Sequence, residues 1–495
     1  MDGAVSLSGP YVVAQPGAAL NDGAAASVGV AAAAPALFPS DGDRLRIDDW
    51  LTDALAAAHV KVRMGPVNPT HDRSDIEASL AAFDFQEPRN LDEVLAWTID
   101  RMVHGLVHVD HPRYFGLFNP APTFPAQCAD RIAACFNPQL ATATTSPFAV
   151  ELEAHVIRTL ARRAGLPPQA AGHFTAGGSE ANYTAMICAL THADPEFARQ
   201  GARAFRGAPV FYVSAESHLA WLKIAHQAGI GRDAIRLVRT DGTGRMDAAA
   251  LETLVTADQA AGHVPVMIAA TAGTTGGGMI DPLAACGDIA RRHGLWYHVD
   301  AAWGGAVLVS DRLRGLLAGI ESADSITIDA HKWLATTMGC GMFITAHQPV
   351  MAAAFQAVMS CMPSNEPSRD PYVTTAQWSR RFLGLRLFLG LAAAGWDGYA
   401  RHVERSIAVA ADIRNRLVAH GWTCVNQSPM AVVCVVPPDG APEPRIIART
   451  VVDSGVAWIA AADFEGRPVI RVCVTHGESS EQDVAALVGA LQGAI

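Results

Sequence analysis

The sequence predicts an α/β fold with a mostly parallel sheet in a large domain, followed by a smaller α+β C-terminal domain. Two observations lead there. From His111 onward, short and continuously apolar runs alternate with stretches of helical period, the pattern of strands buried on both faces and joined by crossover helices. After about Asp370 the pattern changes to one long helical stretch, several apolar runs and a closing helix. At 495 residues, half of them hydrophobic, the chain can bury an extensive core in one large domain and one smaller one.

Residues 1–45 are rich in Ala and Gly and lack a basic n-region, so they read as a flexible leader and not a signal peptide. Helical period over Arg46 to about Val60 and over Leu91 to Val107 marks an N-terminal helical arm, 46–110, placed to lie on a neighbouring subunit. In the large domain, 111–375, helices are expected over Pro147 to Ala164 and Ser179 to Leu190. Strands are expected at "VFYVS" (Val210 to Ser214), "VPVMIAATA" (Val264 to Ala272), "LWYHVDAA" (Leu295 to Ala302), "SITIDA" and "CGMFITA". In the small domain, 376–495, "WSRRFLGLRLFLGLAAAGWDGYARHVERSIAVAADIRNRLVAHG" reads as a long helix. The runs "WTCVNQ", "AVVCVVP" and "AWIAAADFEGRPVIRVCVT" follow, with a last helix from Ser480.

A net charge of −11 and the absence of a Lys/Arg-rich run argue against nucleic acid as a partner. No apolar run reaches the length of a membrane span. The nine cysteines form no CxxC pair and are scattered through apolar segments, which suits reduced core thiols in the cytoplasm and gives no metal-site spacing.

The chemistry gathers at the expected C-terminal ends of strands, where open α/β sheets bind ligands. "HFTAGGSEANYTAM" runs a strand into Gly177, Gly178 and Ser179 at a helix start, which is either a turn with a cap or a cradle for an anion. His218 follows a strand and by itself reads as a cap or a surface residue. Thr274 and Thr275 open a glycine-rich, hydroxyl-rich loop. Asp300 ends the strand "WYHVD" and needs a partner, whether a cap, a salt bridge or a ligand. Lys332, in "DAHKW", follows the strand Ser325 to Ile328. It either snorkels with its stem on Trp333 or is held as an imine. Taken together, an anion cradle, a flat imidazole, a carboxylate and a lysine are what pyridoxal 5′-phosphate (PLP) requires: a phosphate site, a ring-stacking partner, a partner for the pyridine nitrogen and an amine for the aldehyde.

The stretches "HPRYFGLFNP", "SPFAVELEAHVIRTLARRAGLP", "GGSEAN", "HVDAAWGG", "HKW" and "QWSRRFLGLRLFL" together resemble the group II PLP-dependent amino-acid decarboxylases, from about Arg89 to the C-terminus. The resemblance implies a large domain of the aspartate-aminotransferase fold (fold type I) and an obligate homodimer with active sites at its interface. It implies that Lys332 forms the Schiff base, Asp300 pairs with the pyridinium nitrogen and His218 stacks on the ring. By the same resemblance Gly178, Ser179 and His331 lie at the phosphate, Thr275 lies near the ring hydroxyl or the substrate carboxyl, and Ala302 packs under the ring. Phe118, Asn119 and Pro120, with Leu117, fall on the substrate side. "QLATAT", Gln139 to Thr144, falls in the partner's wall, small and hydroxylic, which points to a small or polar L-amino acid.

Two positions depart from the family pattern. Asp329 stands where relatives often carry Asn, and a second anion near a phosphate needs to turn away or meet a cation. Cys361 stands in register with a loop tyrosine thought to protonate the carbanion left after CO2 departs, while Tyr372 is nearby but out of register. The leading expectation is therefore decarboxylation of an L-amino acid to the amine. The alternative is a PLP enzyme whose carbanion is diverted, to an aldehyde through O2 or to a new carbon–carbon bond.

Overall fold

The computed structural model describes residues 37–356 and 369–495. Its centre is a seven-stranded sheet: β1 (Ala171–Thr175), β2 (Pro209–Ser214), β3 (Ile235–Val238), β4 (Val264–Thr271), β5 (Trp296–Asp300), β6 (Ser325–Asp329) and β7 (Gly341–Thr345), in the order β1-β7-β6-β5-β4-β2-β3. The pairs β2–β3, β2–β4, β4–β5 and β5–β6 are parallel. β7 runs antiparallel to both β1 and β6, so β1 points the same way as β6. The C-terminal ends of β1, β2, β4, β5 and β6 therefore open on one edge of the sheet. Strands β2, β5, β6 and β7 are buried along their whole length, as continuous apolar runs covered by helices require.

A second sheet of β8 (Thr423–Cys424), β9 (Val432–Val436), β10 (Ala460–Phe464) and β11 (Arg467–Cys473) is antiparallel, in the order β10-β11-β9-β8. The two-sheet architecture is the one expected. The element reading differs in several places. The first helix, Asp41–Met64, begins inside the stretch read as a flexible leader, where Ser40 caps it by accepting the Asp43 N–H. β3 was not expected, because an edge strand with Leu237 62% exposed carries no continuous apolar signal. The long C-terminal helix runs from Gly384 to Ala419 and is broken at Gly395, which takes φ 63°, a backbone that glycine adopts without strain. Its expected first turns, Trp378 to Phe382, are instead a non-helical clamp. Glu153, buried on the Pro147–Arg163 helix, accepts the N–H groups of Leu383 and Gly384 at 3.0 Å and pairs with Arg380 at 3.0 Å. One carboxylate thus satisfies orphan donors at a helix start and the charge of a buried arginine.

Candidate active site

The five strand ends open on a cleft of about 430 Å³ lined by Gly178, Ser179, His218, Thr275, Asp300 and Lys332, with Ala302 and His331 also in its wall. After β1 the chain turns through Gly177 into the helix Gly178–Ala193. Its first N–H groups have no carbonyl of their own helix to meet, and the dipole there favours an anion. A Cβ on Gly178 would stand 2.8 Å from Asp329 Oδ2 and 3.3 Å from the Ala302 Cβ, so only glycine lets the backbone come this close. His331 is buried on the other side, its Nδ1 accepting from the Cys340 N–H at 3.2 Å, with its Cε1 3.5 Å from where a Gly177 Cβ would be.

Lys332 follows β6 in a tight turn. Its carbonyl accepts from the Ala335 N–H at 2.9 Å, and buried Ala335 takes φ 51°, rare for a residue with a Cβ. Trp333 is fully buried and stacks on Trp303 at 4.6 Å, which stacks in turn on Phe118 at 4.5 Å. This buried stack anchors the turn, so the indole of Trp333 packs in the core with its neighbours instead of lying along a surface lysine. The lysine head faces the cleft, 3.1 Å from Asp329 Oδ2 and 5.7 Å from the Phe118 ring centre. The Asp at 329 thus meets a cation, as its place beside an anion site demands.

Asp300, at the end of β5, is buried and accepts from both sides. Oδ2 takes the Asn182 amide at 2.8 Å, and Oδ1 takes the Ala302 N–H at 3.1 Å. His218 stands at the start of the Ala220–Gln227 helix, its Nδ1 accepting the Ala220 N–H at 3.0 Å. The two threonines divide their labour. Thr274 Oγ1 accepts the Met279 N–H at 3.0 Å inside the turn, and Thr275 faces the cleft.

Of the three candidate substrate residues, Phe118 lines the cleft. Asn119 donates to the Met338 sulfur at 2.8 Å, Pro120 is buried, and neither is in the cleft wall. In the stretch Gln139 to Thr144, Gln139 donates to Ser379 at 3.1 Å and accepts the Arg380 N–H at 3.2 Å on its own chain, while Thr144 is exposed. Tyr372 stacks on Trp378 at 4.5 Å and donates its N–H to the Ala141 carbonyl. Cys361 lies outside the described residues. The sequence reading passed over Arg471, Asn182 and His298. Arg471, on β11 and 3% exposed, donates to the Thr275 carbonyl at 2.8 Å and to the Gly116 carbonyl, with its guanidinium 4.7 Å from the Phe118 ring centre. The available signal was a lone arginine inside the apolar run "PVIRVCV".

The cleft fits PLP by its own atoms: a helix start where a Cβ has no room, a carboxylate at a strand end and an amine that reaches the cleft from a buried turn. Fold and cleft define a PLP-dependent α/β enzyme. The model of the pyridoxal-dependent decarboxylase conserved domain matches residues 76–435. Cysteine sulfinic acid decarboxylase of Mus musculus is 33% identical over 350 residues, 68% of this chain and 70% of that protein. L-2,4-diaminobutyrate decarboxylase of Rhizobium meliloti is 29% identical over 398 residues, 78% of each chain. The crystal structure of mouse CSAD superposes with a TM-score of 0.84 at 27% identity, over 91% of this chain and 98% of that one. The chain belongs to the pyridoxal-dependent decarboxylase family. It binds PLP through a lysine Schiff base and decarboxylates an L-amino acid. Among the described residues no helix is long and apolar enough to cross a membrane, and no cluster of His, Cys, Asp and Glu could hold a metal ion.

Proposed function

We propose that Lys332 is the amine that receives the cofactor's aldehyde and Asp300 the partner of its ring nitrogen. In this reading Gly178, Ser179 and His331 hold the phosphate, His218 lies against one ring face, Ala302 lies under the other, and Thr275 sits at the substrate end. The observation that carries the reading is that Lys332 is the lysine of the cleft wall and shares it with all of these groups. When bound, PLP supplies an aldehyde that condenses with amines and a protonated ring that accepts the electron pair left by departing CO2. Asp329 stands as counter-charge to Lys332 while that amine carries a proton. The two hydrogen bonds to Asp300 hold its carboxylate in one orientation. Arg471 fastens the Gly116 and Thr275 backbones under Phe118, and its charge favours a carboxylate on that side of the cleft. Lys332→Ala should abolish both the visible absorption of the PLP-loaded protein and CO2 release. Retention of either in the purified variant would refute the assignment.

A small or polar L-amino acid is the substrate class this reading favours, because Gln139 to Thr144, expected in the partner's wall, is small and hydroxylic. A panel of amino acids with separate readouts of CO2, amine, aldehyde and peroxide tests it. Preference for bulky aromatic substrates would overturn the class, and aldehyde with peroxide in place of amine would favour the diverted outcome.

The active form in this reading is a homodimer. Phe124, Ile132 and Phe136 on one helix leave large apolar side chains exposed on the single chain, as does Phe148 at the start of the Pro147–Arg163 helix. The Asp41–Met64 helix likewise exposes Leu45, Leu55 and Val60, as an arm laid on a neighbour would. Sedimentation of the purified protein at micromolar concentration should give a dimer, and a monomer with full activity would refute it. A cytoplasmic setting is supported by the described cysteines, all of which are free thiols.

A further inference from the structure

Behind Asp300, Asn182 leads into a file of polar side chains that the reaction as derived above does not use. Asn182, His298, Ser325 and Trp296 are 3%, 0%, 0% and 1% exposed, so each must find its hydrogen-bond partners inside the protein. The parallel register brings His298 on β5 beside Ser325 on β6. Asn182 comes from the helix whose start forms the anion cradle, one turn beyond Gly178.

The direction of the bonds in this file follows from its two ends, an indole that can only donate and a carboxylate that can only accept. The Trp296 indole N–H has no lone pair to offer, so at 2.8 Å it donates to Ser325 Oγ. At the other end Asp300 Oδ2 takes the Asn182 Nδ2 amide group at 2.8 Å, which turns Asn182 Oδ1 away from it. Asn182 Oδ1 therefore faces His298 Nε2 at 3.0 Å and accepts its proton, with Thr327 Oγ1 a longer second contact at 3.4 Å. The neutral imidazole thus carries its proton on Nε2, and Nδ1 accepts the Ser325 hydroxyl proton at 2.8 Å. A flipped amide would set N–H against N–H at His298 and oxygen against oxygen at Asp300. Burial pushes His298 down to about 4, which keeps the ring neutral and this order of protons intact at neutral pH.

We propose that Trp296, Ser325, His298 and Asn182 form a one-directional hydrogen-bond relay that holds Asp300 as a fixed acceptor, which makes His298 and Asn182 positioning residues for the cofactor's ring nitrogen. The inference rests on the reading of Asp300 given above. Each member donates toward Asp300, so the carboxylate receives and does not share a proton from behind. Trp296, Ser325 and His298 act from outside the cleft wall, which Asn182 shares with Asp300. The relay also ties the two ends of the cofactor site together, because one helix supplies both the cradle at Gly178 and the amide at Asn182.

The test uses the full-length chain as apoprotein and reloaded with PLP. His298→Leu removes both ring nitrogens, His298→Gln keeps one donor and one acceptor, Ser325→Ala removes the proton given to Nδ1, and Asp300→Asn is the reference. The readouts are the PLP dissociation constant by tryptophan fluorescence, the visible absorption spectrum, and kcat against KM. His298→Leu removes a neutral hydrogen bond that holds the Asn182 amide, worth about 3- to 10-fold, so it should weaken PLP binding by that factor, alter the absorption band and lower kcat without raising KM. Ser325→Ala should move the same readouts in the same direction by less, and His298→Gln should recover most of the loss. If His298→Leu and Ser325→Ala stay within about twofold of wild type while Asp300→Asn fails, the relay is wrong and the Asp300 reading stands. A His298→Gln variant no better than His298→Leu overturns the relay as well. If Asp300→Asn itself matches wild type in all readouts, the Asp300 reading falls and takes the relay with it. Should His298→Leu not fold, Ser325→Ala decides by the same criterion.

Discussion

Replacing Gly178 with alanine puts one methyl group into the tightest part of the cradle. The new Cβ would stand 2.8 Å from Asp329 Oδ2, 3.4 Å from Asp329 Cγ and 3.3 Å from the Ala302 Cβ. The first distance is shorter than side-chain contacts tolerate, so something must shift. Asp329 has little freedom to do so. It is 3% exposed, Oδ2 is tied to Lys332 at 3.1 Å, and Oδ1 lies 2.7 Å from where a Cβ on Gly341 would be. Ala302 is held by its N–H bond to Asp300. Forcing a methyl group into a packed site costs about 1–3 kcal/mol. Because the strain falls on groups the bound cofactor needs in place, it should appear as about a 5- to 150-fold loss of PLP affinity. Fluorescence titration of the apoprotein with PLP measures it, and a thermal melt of the apoprotein shows how much of the strain is present before PLP binds. A dissociation constant within about twofold of wild type, with an unchanged melting temperature, would refute the close approach of this backbone to Asp329 and the cradle argument built on it.

Glu153→Gln should destabilise the protein by about 3–5 kcal/mol in urea unfolding, because it leaves Arg380, 3% exposed, without its counter-charge and strips a charged acceptor from the Leu383 and Gly384 amides. Stability should also fall as the solution is acidified. Burial and then the Arg113 charge push His111 down to about 4 from 6.5, so between those values the unfolded chain takes up a proton that the folded chain refuses. The contribution is complete above pH 6.5, is lost towards pH 4 and amounts to on the order of 3 kcal/mol; His111→Gln should flatten that part of the pH profile of urea unfolding. Cys361→Tyr should raise the ratio of amine to aldehyde among the products, because a thiol side chain reaches less far than a phenol towards a carbon that must be protonated within about 3 Å. An unchanged ratio, read by chromatography of the products, would show that this position carries no chemistry.

The sequence by itself determined the layers of the fold and singled out head groups that line one cleft. Strands β2, β4, β5, β6 and β7 were legible because a strand buried on both faces must be apolar throughout, a property of adjacent residues. Gly178, His218, Asp300 and Lys332 were legible because a glycine pair at a helix start and polar groups at the ends of such strands are conspicuous, and all four line one cleft. The edge strand β3, half exposed, and the clamp that replaces a helix before Leu383 carried no such local signature. Tertiary structure alone showed how the head groups are held. The Asn182–Asp300 bond spans 118 residues and the Arg471–Thr275 bond 196, and nothing in either local stretch names the distant partner. The Trp333–Trp303–Phe118 stack that turns Lys332 into the cleft joins three distant segments in the same way. Burial writes a periodic pattern into the chain because it acts on every residue of an element. A hydrogen bond or a ring stack depends on which two elements the folded chain sets side by side.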